Sequence, residues 1–157
     1  MERTGPNANG GHAQNGFAKE IYRAFLEEFE AITTYTQGAI VLAEEFPAVA
    51  RLLDEISRVE MSHFEQLGQL LMHLGATPTL NLRLRQEPLR LGADPVRTVA
   101  QFLHRALADE RAAEGHYRHL ASAAPNDGIR ELLAAIADEE EGHATAIEGM
   151  LKRLTAS

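Results

Sequence analysis

Apolar residues recur at heptad-like spacing from Phe17 onward, and the pattern is interrupted at three places where proline and glycine concentrate. This periodicity predicts four helices and no strands. Proline is well tolerated at the first position of a helix, because its missing N–H has no partner there to lose. The predicted helices run from about Phe17 to Glu45, from Pro47 to Leu74, from Pro95 to Ala123, and from the turn at Pro125–Gly128 to Leu154.

The connection between the second and third predicted helices is much longer than the other two. It extends from Gly75 to Pro95 and contains Pro78, Pro88 and Gly92, so it is too rich in proline for a helix and too long for a hairpin turn. The chain is therefore predicted to be all-α, with two antiparallel helix hairpins joined by one long crossover.

The second and fourth predicted helices look like copies of each other. Seven positions of one match seven positions of the other in the same order: Leu53, Ile56, Glu60, His63, Leu67, Leu70 and Leu74 correspond to Leu133, Ile136, Glu140, His143, Ile147, Met150 and Leu154. The two halves of the chain therefore look like repeats of one hairpin.

Each predicted helix places an ionisable residue inside the apolar stripe that should face the core. In the second and fourth helices the insertion is a Glu-x-x-His pair, whose spacing puts both side chains on one face. The stripe of the first helix is Ile21, Phe25, Glu28, Ile32, Tyr35, Ala39 and Leu42, and that of the third is Val96, Val99, Leu103, Ala106, Glu110, Ala113, Tyr117 and Leu120.

Four carboxylates gathered in an apolar interior would repel one another and would be costly to desolvate unless they were protonated or neutralised. Two divalent cations supply the four positive charges that cancel them. The pattern thus predicts a dinuclear metal site whose ligands are Glu28, Glu60, His63, Glu110, Glu140 and His143. Its metal-free alternative is a helical bundle that acts as an interaction module.

The positions of these residues relative to the turns also bear on the prediction. Glu110 and Glu140 lie at similar distances from the turn between the third and fourth helices, so they should meet across the bundle. Glu28 and Glu60 match less well about the first turn. We therefore expect the first helix to end before Glu45, or the loop to absorb the difference.

Two tyrosines share the inward stripes with the candidate ligands. Tyr35 and Tyr117 each lie seven residues after the glutamate of their own helix. They could orient a ligating carboxylate by a hydrogen bond. A core tyrosine whose hydroxyl group is satisfied elsewhere is the equal alternative.

Composition and charge exclude several classes of function. The chain has no cysteine, so disulfides, zinc–thiolate sites and iron–sulfur clusters are excluded, and its formal net charge of -8 argues against nucleic-acid binding. No run approaches the roughly 18 apolar residues of a membrane span. Residues 1–16 are rich in Gly and Asn and lack the features of a secretory signal, so we expect a disordered tail and a cytoplasmic protein.

Two stretches resemble the ferritin-like superfamily, in particular the bacterioferritin and rubrerythrin group. They are Glu28 to Tyr35, which is similar to the first ligand helix of bacterioferritins, and Glu60-Met61-Ser62-His63, which is similar to the second. The resemblance extends over nearly all of residues 17–154. It implies a ferritin-like four-helix bundle at 17–155, with the six residues above as ligands and with Glu60 and Glu140 bridging two metals.

The chain also departs from these families. Ala113 stands where rubrerythrins have a further ligand glutamate, and the chain has no rubredoxin module. Only fourteen residues follow His143, where bacterioferritins continue into a fifth helix, so a storage cage is not expected. Met61 stands at the haem-ligating position of bacterioferritins, but we interpret it as a packing residue and do not expect haem.

A further departure concerns the residues that precede the ligands. Val59 replaces an aspartate of bacterioferritins, whereas Glu139 keeps an acid at the matching position, so the two metal positions can differ in affinity.

The predicted activity is the oxidation of two Fe(II) ions by dioxygen or hydrogen peroxide, either as a ferroxidase or as a peroxide scavenger. Carboxylate oxygens with one imidazole per metal suit iron or manganese. A peroxidase would need an external electron donor. The alternatives are a dimanganese catalase and a non-enzymatic iron-binding or storage protein, and the expected assembly is a homodimer.

Overall fold

The computed structural model describes residues 8–81 and 87–156, of which 8–13 are described by their backbone alone. It contains four helices, α1 (Ala8–Leu42), α2 (Pro47–His73), α3 (Pro95–Ser122) and α4 (Asp127–Thr155), and no strand in the described part. α1 pairs with α2 and α3 pairs with α4, while α2 also touches α4 and α1 touches α3. These contacts confirm the predicted all-α bundle of two hairpins.

Three helix ends follow from local chemistry that the sequence had indicated. Pro47 and Pro95 begin α2 and α3, and the Asp94 side chain accepts a hydrogen bond from the Arg97 backbone N–H. Gly75 has a φ of 80°, which suits glycine, and the backbone N–H of Ala76 donates to the Leu71 carbonyl in a Schellman motif.

The first helix differs from its prediction at both ends. It begins at Ala8, nine residues before the predicted start at Phe17, and residues 14–16 are exposed. Residues 14–16 therefore extend the helix without adding to the core, so the apolar pattern does not reveal them. The remainder of the predicted tail, residues 1–7, lies outside the described residues. The C-terminal end at Leu42 fulfils the expectation that α1 stops before Glu45.

The crossover is attached to the first hairpin near both of its ends. Tyr22 donates a hydrogen bond to the Thr79 carbonyl at 2.8 Å. Gln37 donates to the Leu89 carbonyl at 3.0 Å and accepts from the Leu89 N–H at 3.1 Å, and the Leu89 side chain is buried.

Val96, which the stripe of the third helix placed in the core, is 48% exposed. It lies in the first turn of α3, and the apolar core at this end of the bundle is filled by Leu89 among others.

The core consists of two apolar clusters. One contains Leu42, Leu53, Leu103 and Ile147 among its members. The other contains, among others, Ile21, Leu67, Leu71, Tyr117 and Leu133. All six candidate ligands are buried, yet none belongs to either cluster, and Glu28 and Glu60 each lie between members of the two clusters along their own helices. None of the described helices has the length and hydropathy needed to cross a membrane.

Candidate metal centre

The structure brings all six candidate ligands to one level of the bundle. Glu60 and Glu140 are 1% exposed and His63 is 0% exposed, so these residues lie in the interior of the bundle. One ligand atom from each of Glu28, Glu60, His63 and Glu140 lies within 4.8 Å of the others, and the same holds for Glu60, Glu110, Glu140 and His143. The two groups share Glu60 and Glu140, the pair that the resemblance assigned as bridges.

The helices position these side chains by their periodicity. Each Glu-x-x-His pair projects both side chains from one face, so α2 and α4 each bring a carboxylate and an imidazole to the axis. His63 Nδ1 lies 2.9 Å from Glu60 Oε2 and 2.9 Å from Glu140 Oε1. His143 Nδ1 lies 3.2 Å from Glu60 Oε1 and 3.4 Å from Glu110 Oε2. Both rings therefore point Nδ1 at the shared carboxylates.

The two tyrosines connect the hairpins. Tyr35 on α1 donates a hydrogen bond to Glu110 on α3, and Tyr117 on α3 donates one to Glu28 on α1. Both hydroxyl groups are thus directed at candidate ligands, as the first of the two interpretations proposed. Burial and the adjacent carboxyl group raise the pKa of each tyrosine well above its usual value, so both remain protonated donors.

Glu28 and Glu110 have raised pKa values. Burial disfavours the Glu28 anion, and the negative charges of Glu60 and Glu140 add to the effect, so its pKa lies well above the ordinary value. Burial also raises the pKa of Glu110 to about 8, although its contact with His143 acts in the opposite direction. Without a metal, burial therefore favours the protonated form of both carboxyl groups, and Glu110 is mainly protonated at neutral pH.

The pKa values of the histidines and of the shared carboxylates shift in opposite directions. Burial disfavours the imidazolium form, but contacts with Glu140 and Glu60 outweigh it and raise the pKa of His63 to about 11. Contacts with Glu110, Glu140 and Glu60 likewise raise the pKa of His143 to about 12. The same histidines lower the pKa values of Glu60 and Glu140 despite burial. Two imidazolium ions thus balance two carboxylates in the metal-free centre.

Protons alone leave some buried atoms unsatisfied. In the described part of the chain, three buried side-chain atoms have no hydrogen-bond partner: Glu110 Oε2, Glu140 Oε1 and His143 Nδ1. Glu140 Oε1 lies close to His63 Nδ1, but not in hydrogen-bonding geometry. Buried polar atoms without partners are rare in native proteins. Each of the three is an oxygen or nitrogen atom that can donate a lone pair to a cation once its group has lost its proton, so the residues fit a dinuclear metal centre.

Comparison with known proteins agrees with the fold. Residues 18–157 match the ferritin-like domain family. The chain belongs to this family. A comparison with curated proteins found no significant match to the ferritin-like chain.

Two solved structures share its fold. One is the bacterioferritin of Desulfovibrio desulfuricans, described as containing a diiron site, with a TM-score of 0.77, 19% sequence identity and coverage of 92% of this chain and 83% of that one. The other is a dodecameric thioferritin, a bacterioferritin-related protein from Bacteroides fragilis, with a TM-score of 0.68, 18% identity and coverage of 91% and 90%.

A groove between α1 and α3 leads to the centre of this ferritin-like bundle. Its volume is about 960 Å³, and its lining includes the four candidate carboxylates, both tyrosines and Ala113. Ala113 contributes only a methyl group to this lining. Small molecules and ions thus have a path to Glu28 and Glu110 from the side of α1 and α3.

The groove also contains acids that the sequence analysis did not single out. Burial raises the pKa of Glu27 and of Asp109, and the nearby charge of Glu30 adds to both shifts. All three line the groove. Helical periodicity treats such positions as ordinary surface residues, so only their location beside Glu28 and Glu110 in the sequence could have drawn attention to them. Their combined charge attracts cations.

Met61 does not pack in the core of this chain. Its side chain is 43% exposed, so the packing interpretation is not met within a single molecule.

Proposed function

We propose that this ferritin-like protein binds two iron ions and oxidises them with dioxygen or hydrogen peroxide, as a ferroxidase or a peroxide scavenger. The observation that carries the proposal is the pair of overlapping ligand groups, with two shared carboxylates and one imidazole each. The likeness to a bacterioferritin described as having a diiron site supports iron as the metal.

The residues have distinct roles in this proposal. Glu60 and Glu140, which both groups share, would hold both ions, Glu28 with His63 and Glu110 with His143 would complete the two positions, and the tyrosines hold Glu28 and Glu110 by hydrogen bonds. Two Fe(II) ions held there would supply the two electrons that reduce dioxygen to the peroxide level or hydrogen peroxide to water. The apolar clusters exclude water from the two ends, and the groove admits ions and small oxidants.

A peroxide scavenger needs a source of electrons to restore Fe(II). The chain has no cysteine and hence no thiolate-bound redox centre of its own. The electrons therefore come from an external donor. The predicted cytoplasmic location and homodimer remain predictions, and the related Bacteroides fragilis protein is described as dodecameric.

The first experiment measures the stoichiometry of Fe(II) binding and its oxidation. Metal-free protein is loaded anaerobically with Fe(II), dialysed, and exposed to dioxygen or hydrogen peroxide while near-ultraviolet absorption of Fe(III) is recorded. We expect two ions per chain and a fast rise with at least one oxidant. Glu60→Ala should abolish stoichiometric binding, because it removes a carboxylate common to both groups. Glu55→Ala, at an exposed position on the same helix, is the matched control.

Other outcomes would favour the alternatives. Manganese retained in preference to iron, with oxygen evolution from peroxide, indicates a dimanganese catalase. A large shell that accumulates far more than two ions per chain indicates storage. Absence of binding in the wild type, with no effect of Glu60→Ala on metal content, contradicts the proposal and leaves the interaction module.

A further inference from the structure

The two candidate histidines differ in what their outer nitrogen contacts. His63 Nε2 lies 2.5 Å from Glu139 Oε2, while its Nδ1 faces the shared carboxylates. His143 also turns Nδ1 toward the centre, but within the described chain no acceptor lies within hydrogen-bonding or ion-pair distance of its Nε2. The side chain of His143 is also 9% exposed, compared with 0% for His63. The His63 ring is thus held by hydrogen bonds at both nitrogen atoms, whereas the His143 ring has only charged neighbours at Nδ1.

The internal repeat explains the difference. Residues of α2 and α4 correspond at a constant offset, with Glu60 matching Glu140 and His63 matching His143, so Glu139 corresponds to Val59. Glu139 on α4 reaches across to His63 on α2. The equivalent contact in the other direction would run from position 59 on α2 to His143, and valine has no oxygen atom to accept the bond.

A carboxylate on the outer nitrogen changes how an imidazole binds a metal. By accepting the Nε2–H, Glu139 selects the neutral tautomer whose lone pair is on Nδ1, the atom that faces the centre. It also limits rotation of the ring and raises the basicity of Nδ1. Loss of such a partner typically lowers metal affinity by about 10- to 100-fold.

The unsatisfied atoms point the same way. Two of the three buried atoms without a hydrogen-bond partner in the described structure, Glu110 Oε2 and His143 Nδ1, belong only to the group that contains His143, whereas the third, Glu140 Oε1, lies on a shared carboxylate 2.9 Å from His63 Nδ1. The imidazole of the His143 group is therefore less well held before a metal arrives. The group that contains His63 already has its imidazole oriented.

We propose that the two metal positions have unequal affinity, and that Glu139 is the positioning residue that makes the position at His63 the tighter one. The inference rests on the proposed dinuclear site. The first ion occupies the Glu28, Glu60, His63 and Glu140 group, and the second, more exchangeable ion occupies the Glu60, Glu110, Glu140 and His143 group.

A titration with Zn(II) followed by NMR tests the order of filling without any redox step. Protein carrying ¹⁵N-labelled histidine is titrated from zero to two equivalents, and the ring resonances of His63 and His143 are followed. We expect the His63 resonances to shift during the first equivalent and those of His143 during the second. Simultaneous shifts, or His143 shifting first, overturn the proposal.

Variants assign the difference to Glu139, with equilibrium dialysis giving the two stepwise constants. Glu139→Val should weaken the tighter constant about 10- to 100-fold and bring the two together. Glu139→Gln keeps an oxygen that can accept the Nε2–H, so it should weaken the tighter constant less than Glu139→Val does. Val59→Glu should tighten the weaker constant by about 10-fold. The matched control is Glu131→Val, which makes the same substitution at an exposed position of α4.

The outcomes separate this inference from the proposed function. If the wild type binds two ions and Glu139→Val changes neither constant more than Glu131→Val does, the inference is wrong and the dinuclear site stands. An unchanged weaker constant in Val59→Glu likewise contradicts it. If the wild type does not bind two ions, the proposed function itself fails. Thermal unfolding of each metal-free variant checks that the fold is intact.

Discussion

In the centre, the pKa values of the two histidines are raised and those of Glu60 and Glu140 are lowered, and each shift depends on the others. Without a metal, protons on His63 and His143 balance the charges of Glu60 and Glu140, Glu110 is mainly neutral at pH 7, and burial favours the neutral form of Glu28. A divalent ion must displace these protons, because the metal binds carboxylate and neutral imidazole. Acidity and metal binding are therefore coupled residue by residue.

Glu110→Gln should stabilise the metal-free protein while it weakens metal binding. The pKa of Glu110 is about 8 in the folded protein, above the ordinary 4.5, so its ionisation penalty accumulates as pH rises from about 4.5 to about 8. Glutamine removes this penalty and keeps an oxygen that can accept the Tyr35 hydrogen bond. Urea unfolding should show little gain at pH 4 and the largest gain near pH 8. An equal gain at both pH values would contradict the electrostatic explanation.

Helix ends were predictable to different degrees because they depend on different interactions. The start of α3 and the end of α2 were predicted within a few residues, because they depend on the local backbone preferences of Asp94, Pro95 and Gly75. The start of α1 at Ala8 was missed because residues 14–16 face solvent and leave no apolar signal. The exposure of Val96 was also missed, because heptad spacing does not show that the core-facing side of α3 begins only at Val99.

Replacing glycine with alanine should have opposite effects at Gly75 and Gly115. Gly75 has a φ of 80° beyond the end of α2, where a Cβ atom is strained, so Gly75→Ala should destabilise the protein by about 1 kcal/mol. Gly115 lies inside α3 with nothing within 4 Å of the position of an added Cβ, so Gly115→Ala should stabilise it by roughly 0.5–1 kcal/mol. Chemical denaturation measures both, and shifts of the same sign would contradict the assignment.

At the scale of the whole molecule, the candidate ligands were the most predictable feature. Six charged residues inside apolar stripes, repeated in two halves, required a common level in the bundle, and the structure places them there. The groove and its acids were not predictable, because they depend on the gap between α1 and α3 and not on periodicity within either helix.

Bound metal should stabilise the whole bundle. Ions present at about 100 times the dissociation constant contribute roughly 2.7 kcal/mol per site, and in a protein of this size each kcal/mol raises the melting temperature by about 2–4 °C. We therefore expect Zn(II) to raise it by at least about 5 °C at pH 7, and Mg(II), which prefers oxygen ligands and water, by much less. Because the carboxyl penalties accumulate with pH, the difference between loaded and metal-free protein should widen from pH 5 to pH 8. A difference in melting temperature that does not change between pH 5 and pH 8 would contradict this electrostatic explanation.

The two tyrosine hydrogen bonds make the two hairpins interdependent. Tyr35 of the first hairpin donates to Glu110 of the second, and Tyr117 of the second hairpin donates to Glu28 of the first. Each hairpin alone is a half-site, with one phenol and one terminal glutamate lacking their counterparts. A metal pair can therefore bind only when both hairpins are packed together in the correct register. Partial separation of the hairpins should release the ions before the helices themselves unfold.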